Sequence, residues 1–282
     1  MTLSGHALRL SKQPAVFLRL SGLSVSKFCE LLSSITPCVE AAEHSRLSKR
    51  KRKRAVGGGT PYSLPLCDRL LMLLMYYRTY VTHAFLGFLF GLDDSNVGRC
   101  INRLKPTLAQ HFRIPERRLL SATEVESFFF DGTEQPIQRP KARKPRKACY
   151  SGKKKRHTLK AQVISDKTGN ILAVSKSAHG RCHDKKLYDK TRALVPPDKR
   201  KLGDTAYLGT TLDIPHKKPK GGELTDQQKQ ENKQHSRQRV KVEHAIGRMK
   251  RFQILAQRFR NKRSQHTLII KNIAGLANLQ AA

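Results

Sequence analysis

The sequence is short of acidic residues. It has 21 Asp and Glu against 56 Lys and Arg in 282 residues, which leaves a formal net charge of +35. An excess this large indicates a polyanionic partner, because each phosphate that a basic side chain neutralises releases a counterion. The arrangement of the charge favours nucleic acid as that partner. The alternatives are a highly charged surface that only keeps the protein in solution, or attraction to anionic membranes.

Paired cysteines and long apolar runs are also missing. The six cysteines are scattered, with no C-x-x-C pair, which argues against structural zinc and a disulfide framework and favours a reducing, intracellular location. The longest apolar segment, residues 69–92, is interrupted by Arg78 and His83, so it falls short of the ~20 residues of a membrane helix. The first 22 residues carry scattered basic side chains, and we expect no signal peptide.

Changes in composition predict three parts along the chain, at 1–60, 61–118 and 119–282. The first contains a helix, because Val25, Phe28, Leu31 and Leu32 follow helical spacing after Ser24 or Ser26 as a cap. A basic, glycine-ending linker over 44–61 follows. Its cluster KRKRKR indicates an arm that contacts phosphates, and a nuclear address is the alternative reading.

The second part has the pattern of a helix-turn-helix. Residues 65–79 and 82–90 predict two helices, and the turn GLDD leads to a third helix that stops before Pro106. Asp94 or Ser95 would cap this recognition helix. Its apolar positions Val97, Ile101 and Leu104 would pack inward, and its outward face would bind DNA through Ser95, Asn96, Arg99 and Arg103. The alternative is an ordinary helical hairpin in a small bundle.

The third part predicts a mixed α/β domain. Strand-like segments occur at 124–133, 157–165 and 171–178, and a short one ends at Asp204. Helical segments are expected at 183–194, 224–255 and 267–280. Strands that come first, with helices between and after them, indicate a sheet flanked by helices.

Three acidic residues of this part have positions suited to chemistry. Asp131 and Asp204 each follow a predicted strand, and Glu243 lies in the long helix. Open α/β folds place their sites at strand ends, and three oxygen ligands suit Mg²⁺ or Mn²⁺ rather than zinc. Two such ions can activate an oxygen nucleophile and stabilise the leaving oxygen at a phosphodiester. The alternative for each residue is an ordinary turn former or helix cap.

Basic side chains accompany these acids. Arg239 and Lys250 share one helical face with Glu243 and with Ser236, which indicates a carboxylate between cations that could grip a DNA backbone. A solvated ladder of ion pairs is the alternative. Residues 135–160 contain eleven Lys and Arg and no acid. Within this run we expect DNA contacts from Lys153, Lys154, Lys155 and Arg156.

These motifs together resemble a known family. Arg239, Glu243 and Lys250 match the R-x3-E-x6-K signature of bacterial insertion-sequence transposases of the DDE class. The stretches FFFDGTEQPI, AHGRCHD, KLGDTAYLG and RVKVEHAIGRMKRF, in this order, resemble the insertion-sequence-five group within it. Residues 62–104 resemble the helix-turn-helix region that these proteins carry.

The resemblance implies a ribonuclease-H-like catalytic domain preceded by an all-helical helix-turn-helix domain. Asp131 would lie on its first strand, Asp204 on its fourth and Glu243 on a late helix, and the three would bind two Mg²⁺ or Mn²⁺ ions. Arg239 and Lys250 would hold the DNA. His183 and Asp184 match a His-Asp pair common in the group and are not counted as metal ligands.

The implied activity is DNA transposition. The enzyme would bind the terminal inverted repeats of its own element, cleave there and join the 3′-hydroxyl ends to target DNA. Its partner would be double-stranded DNA, held by a homodimer in the bacterial cytoplasm at the nucleoid, with no membrane. Two alternatives are a catalytically silent DNA-binding regulator derived from such a protein, and a basic RNA-binding protein, which the few aromatic residues disfavour.

Two positions depart from the family pattern. Ser236 stands where wider relatives often have Tyr, and serine cannot stack on a flipped base. Ala206 stands in the D-x-G-Y motif of the second acid, and alanine lacks the backbone freedom of glycine.

Overall fold

The computed structural model describes residues 3–49, 61–115, 125–191, 195–219 and 221–281. The chain forms two compact units. The first unit is Met1–Arg113 with Phe252–Ile254, and the second unit is Ile114–Arg251 with Leu255–Ala281. In these described ranges, no helix is both long and apolar enough to cross a membrane.

The first unit is helical. Ser24 begins the third helix by accepting the Lys27 N–H at 3.3 Å, and Thr82 begins the fifth by accepting the Phe85 N–H at 3.2 Å. The fourth helix is buried along almost its whole length. The six helices are α1 (Gly5–Ser11), α2 (Pro14–Ser21), α3 (Val25–Ser48), α4 (Leu66–Thr79), α5 (His83–Phe90) and α6 (Asp94–Phe112).

A tight turn joins α5 to α6, as the helix-turn-helix pattern predicts. Gly91 ends α5 with a φ of +65°, a conformation that side chains with a Cβ rarely adopt. The turn packs so closely that a Cβ built at Gly87 would lie 2.3 Å from the Leu92 carbonyl oxygen. Gly91 therefore allows the backbone conformation of the turn, and Gly87 allows its close packing.

Two helix boundaries differ from prediction. The segment from His44 was expected to be linker, but α3 continues to Ser48, supported by an ion pair between Arg46 and Glu43 at 2.7 Å. Most of the KRKRKR cluster lies outside the described residues. The recognition helix begins one residue earlier than expected, since Asp93 is its N-cap and makes no side-chain capping bond. The predicted caps Asp94 and Ser95 were wrong.

The end of α6 was also predicted wrongly. The helix does not stop before Pro106 but continues to Phe112. A proline inside a helix lacks a hydrogen-bond donor, which costs about 3 kcal/mol. Thr107 and Leu108 beyond it are buried, so packing of the helix face offsets the lost bond.

The second unit is built on a mixed sheet. Its strands are β1 (Ser127–Pro136), β2 (Tyr150–Ser151), β3 (Arg156–Ser165), β4 (Ile171–Val174), β5 (Ala178–His179) and β6 (Arg200–Leu202). The strand order is β2-β3-β1-β6, and β4 and β5 both pair with β3. All pairs are antiparallel except β1 with β6, which is parallel.

Helices cover this sheet. They are α7 (Arg143–Cys149), α8 (Asp184–Thr191), α9 (Asp226–Lys250) and α11 (His266–Ala281), and the short α10 (Gln253–Ala256) lies where the chain passes between the two units. Phe128 and Phe130 of β1 enter a core with Tyr188 of α8 and with Tyr207. On β4, the backbone of Ile171 bonds to the Asn278 side chain of α11 at 2.8 and 2.9 Å. α7 and β2 were not predicted.

This architecture confirms the predicted fold class: a ribonuclease-H-like mixed sheet flanked by helices, preceded by helices in a helix-turn-helix arrangement. Two details of the strands were wrong. The strand before Asp204 ends at Leu202. It is the sixth described strand rather than the fourth, because the short β2 precedes β3 and the next strand is split into β4 and β5.

Candidate catalytic site and nucleic-acid interface

Asp131 lies in β1 just beyond the part of the strand that pairs with β6. That parallel pairing runs from Ser127 to Phe129, whereas Asp131 pairs across with Val163 of β3. The Asp131 Oδ1 accepts the Gly132 N–H at 2.8 Å. The apolar run before Asp131 thus seats the strand in the core and leaves the carboxylate where β1 loses its parallel neighbour.

Asp204 follows β6 by two residues. Its Oδ1 accepts the Ala206 N–H at 2.9 Å and caps the 3₁₀ turn Thr205–Tyr207. Parallel strands end at the same edge of a sheet, so β1 and β6 bring Asp204 toward Asp131. Ala206 is not among the described residues with positive φ. The turn therefore does not need a glycine there, and this departure from the family motif is compatible with the local backbone.

Glu243 lies on the exposed side of α9, with about half of its side chain (52%) exposed. The Arg239 Nη2 donates to its Oε1 at 3.1 Å. Ser236 and Lys250 are exposed on the same helix. The predicted spacing therefore places all four side chains on one continuous helix, with the carboxylate paired to a cation.

The charges of these three carboxylates are coupled. Burial is the main cause that raises the pKa of Asp131 to about 6, and the charges of Asp204 and Glu243 raise it further. The Gly132 N–H and the Arg239 guanidinium act in the opposite direction. The structure thus brings together three carboxylates that are far apart in sequence.

These carboxylates do not form a ready-made cage. Within the described ranges, no group of three or more His, Cys, Asp and Glu side chains is arranged to hold a metal ion. Part of the reason is that the Glu243 carboxylate is paired with the Arg239 guanidinium. The donor set still fits a hard divalent cation, because the charges of Asp204 and Glu243 raise the pKa of Asp131, and a cation placed between the three carboxylates stabilises them.

Tyr207 forms part of the support below Asp204. Its ring is fully buried, and its hydroxyl accepts the Gln162 Nε2–H at 2.9 Å. Burial, with smaller effects from Asp184, Asp131 and Asp204, raises the pKa of Tyr207. Gln162 in turn bonds to Thr191 of α8. Sequence reasoning gave Tyr207 and Gln162 no role, because only the fold brings β3, α8 and the turn together.

A second charged cluster lies on the opposite face of β1. Lys160 is almost fully buried, and its Nζ is 3.2 Å from Glu134 and 3.1 Å from Asp184. Burial alone would lower the pKa of Lys160, but the two carboxylates raise it. Asp184 lies over Gly132, where a built Cβ would be 3.1 Å from its Oδ1. The His-Asp pair noted in the sequence is therefore tied to the sheet through Asp184.

The expected DNA-contacting face of α6 has the predicted exposure. Ser95, Arg99 and Arg103 are exposed and Asn96 is half-buried, while Val97, Ile101 and Leu104 are buried as predicted. The Arg99 Nη1 donates to Asn96 Oδ1 at 2.8 Å. Arg103 donates to the Tyr62 hydroxyl at 2.7 Å, a contact that joins distant positions and could not be read from the sequence.

The basic run of the second unit ends in an exposed hairpin tip. Residues 152–156 connect β2 to β3 and include the first residue of β3, and all of them are exposed. Lys155 has the left-handed backbone conformation, with a φ of +51°. The predicted DNA-contacting residues Lys153, Lys154, Lys155 and Arg156 all lie there. Lys160, from the same run, does not join them because it is buried against its two carboxylates.

Comparisons with known proteins match both units. Residues 130–278 match the family model described as DDE superfamily endonuclease, and residues 62–114 match the helix-turn-helix of DDE superfamily endonuclease. The first match includes Asp131, Asp204 and Glu243. No solved structure matches the chain.

Two curated relatives resemble nearly the whole chain. A Microchaete diplosiphon protein, assigned as the transposase for insertion sequence element IS702, is 32% identical over an alignment of 276 positions that covers 94% of each chain. A Streptomyces albus G protein, assigned as the transposase for insertion sequence element IS112, is 30% identical over 273 residues, 95% of this chain and 96% of the relative.

Proposed function

The chain belongs to the DDE superfamily endonucleases, as an insertion-sequence transposase with an N-terminal helix-turn-helix, and we propose that it moves its own element. In this proposal it binds the terminal inverted repeats, hydrolyses a phosphodiester at each element end and joins the freed 3′-hydroxyls to target DNA. The observation that carries the proposal is the placement of Asp131 and Asp204 just beyond the parallel pairing of β1 with β6, with Glu243 close enough to raise the pKa of Asp131.

Asp131, Asp204 and Glu243 are the proposed ligands of two Mg²⁺ or Mn²⁺ ions. Such ions supply activation of the attacking oxygen and stabilisation of the leaving oxygen. Asp131 has to be ionised to act as a ligand, and a nearby cation would favour that form. Glu243 has to leave Arg239, which frees the guanidinium for a DNA phosphate. Lys250, exposed at the end of the same helix, is a second proposed backbone contact.

In this proposal the two units have different roles in DNA binding. The face of α6 reads the element ends, and the hairpin tip Lys153–Arg156 attracts the DNA backbone electrostatically. Joining two ends in one complex requires two active sites, so we propose a homodimer in the synaptic complex. Bacterial cytoplasm, at the nucleoid, is the proposed location.

The proposal is tested by cleavage of DNA that carries the element's ends, taken from the sequence that flanks the gene. With Mg²⁺, the wild-type protein should produce nicks or strand-transfer products. Asp131→Ala and Asp204→Ala should produce none, while binding the same DNA with unchanged affinity. Equal products from wild type and Asp131→Ala would refute the catalytic assignment.

A companion measurement tests the fit to a cation without relying on activity. In EDTA, Asp131→Asn should unfold at a higher temperature than wild type, because it removes a buried, like-charge-strained carboxylate. Adding Mg²⁺ should raise the Tm of wild type and leave that of Asp131→Asn unchanged. An equal shift in both proteins would place cation binding elsewhere.

A catalytically silent DNA-binding regulator is the second candidate. The observation that favours it is that the described side chains form no ready-made metal cage. The cleavage experiment separates the two candidates. If the protein is a regulator, wild type and Asp131→Ala should bind the element ends equally tightly, and neither protein should cut them.

A further inference from the structure

A basic cleft opens on the face of the sheet opposite the Asp131 side chain. Its volume is about 930 Å³, and Glu134, Lys160 and Asp184 lie at its lining. Side chains alternate along a strand, so Glu134 and Asp131 point to opposite faces of β1. Their positions are only about 10 Å apart along the strand. The cleft and the candidate catalytic site therefore share one strand.

The cleft has more positive charge than it can neutralise. Seven Lys and Arg side chains line it against two carboxylates, and both carboxylates are paired with Lys160. The other six form no ion pair with a carboxylate in the part of the chain that the structure describes. These six cations are Arg139, Arg143, Arg146, Lys147, Lys153 and Arg181.

An exposed aromatic ring lies among these cations. Tyr150 lines the cleft with 43% of its surface exposed. In the described part of the second unit, it is the one Phe or Tyr side chain with an exposed surface. Its ring packs edge-on against His157, with centroids 5.6 Å apart and planes at 70°. The ring is therefore partly supported by His157 and partly accessible.

An exposed ring within a cationic groove is the combination that binds single-stranded nucleic acid. The cations follow the phosphates, and the ring offers a surface on which a base of any sequence can stack. Duplex DNA keeps its bases inside and offers phosphates alone to such a groove. A ring supported by His157 is already ordered, so stacking costs little side-chain entropy.

We propose that this cleft binds an unpaired nucleotide of a DNA strand, with Tyr150 as the stacking residue. The inference rests on the proposed transposase function, in which a DNA end is opened beside the carboxylates.

The test is direct binding in EDTA, where no cleavage occurs. The probes are fluorescent oligothymidylate, the same strand with abasic positions, and a duplex of equal length. Tyr150→Ala should bind oligothymidylate about tenfold more weakly than wild type, which is within the range of one lost base stack. Affinity for the abasic strand and for the duplex should change by less than about twofold.

Two further variants separate stacking from folding. Tyr150→Phe keeps the ring and should bind oligothymidylate like wild type. Tyr150→Leu keeps an apolar contact to His157 without an aromatic ring and should bind as weakly as Tyr150→Ala. Thermal unfolding of all three variants serves as the check on folding.

The proposal is overturned if Tyr150→Leu, folded like wild type, binds oligothymidylate as tightly as wild type. It is also overturned if the loss is equal for duplex and abasic strand. These outcomes are separate from failure of the proposed function, since DNA cleavage that depends on Asp131 can persist without any effect of Tyr150. Conversely, a protein that cuts no DNA can still show the Tyr150-dependent binding.

Discussion

Two charged side chains on neighbouring strands of the second unit have opposite surroundings. Lys160 is balanced by Glu134 and Asp184 at 3.2 and 3.1 Å, so its ionised form is stable without any further partner. Asp131 is half-buried near two other carboxylates, and its pKa rises to about 6 although Arg239 and the Gly132 N–H lower it. The ionised form of Asp131 would therefore be stabilised further by an added cation.

His266 offers a residue-scale prediction about pH. Its ring is buried, with Nδ1 2.6 Å from the Ser177 hydroxyl and Nε2 2.9 Å from Gln135 Oε1, and burial lowers its pKa to about 4. The unfolded chain takes up this proton near pH 6.5. Stability from His266 is therefore complete above pH 6.5 and is lost as the pH falls toward 4.

We expect this loss to be on the order of 1–3 kcal/mol in the free energy of unfolding. Denaturant titrations at intervals from pH 7 to pH 4 measure it. His266→Gln is the control, because glutamine stays neutral through the whole range. If the variant and wild type lose the same stability between pH 6.5 and 4, His266 is not the source.

At the scale of elements, helices marked by apolar runs or by a long stretch without Gly and Pro were predictable. α4, α5, α9 and α11 were placed close to their observed positions, although the helix predicted over 224–255 ends at Lys250 and a short helix follows it. α7 has no such signal, since RKPRKAC is almost entirely polar. α7 is stabilised by its contacts with β3, and a local sequence pattern cannot indicate such contacts.

The exposed face of α6 leads to a prediction about DNA recognition. Arg99→Ala and Arg103→Ala together should weaken binding to the element's terminal repeat by ~10-fold or more, because each good base contact contributes about 1–3 kcal/mol of discrimination. Binding to random duplex should weaken less. Fluorescence anisotropy with both duplexes at one fixed salt concentration measures the difference.

Arg9→Ala is the matched control for this pair, since Arg9 is an exposed arginine on α1 of the same unit. It should reduce binding to both duplexes by the same small factor. If the double variant also loses the same affinity for both duplexes, α6 contacts phosphates without reading the sequence.

At the scale of the whole molecule, the net charge of +35 should dominate nonspecific binding. If the protein neutralises 6–10 phosphates, affinity for a random duplex should fall by about 10³–10⁵ between 50 and 200 mM salt. The Asp131→Asn variant should show the same slope, because the carboxylates are not phosphate contacts. A shallow slope would mean that most of the basic side chains face solvent rather than DNA.

The sequence by itself determined the fold class and the transposase family, and it predicted DNA as the partner and three carboxylates as the candidate site. Charge, apolar periodicity and the R-x3-E-x6-K spacing are local or additive properties, so they can be read without coordinates. The extension of α6 past Pro106 and of α3 past His44 could not be read this way. Past Pro106, burial of Thr107 and Leu108 outweighed a local signal that normally ends a helix. Past His44 the added turn of α3 is mostly exposed and carries the ion pair between Arg46 and Glu43.

Only the tertiary structure decided which charges face one another. It placed Asp204 and Glu243 near Asp131, neutralised Lys160 within the basic run and brought Tyr150 into a cleft of cations. The physical reason is that electrostatic coupling and stacking depend on distances of a few ångströms. Those distances arise from the register of β1 on β3 and from the parallel pairing of β1 with β6. The paired residues are far apart in the sequence, so no local pattern encodes these pairings.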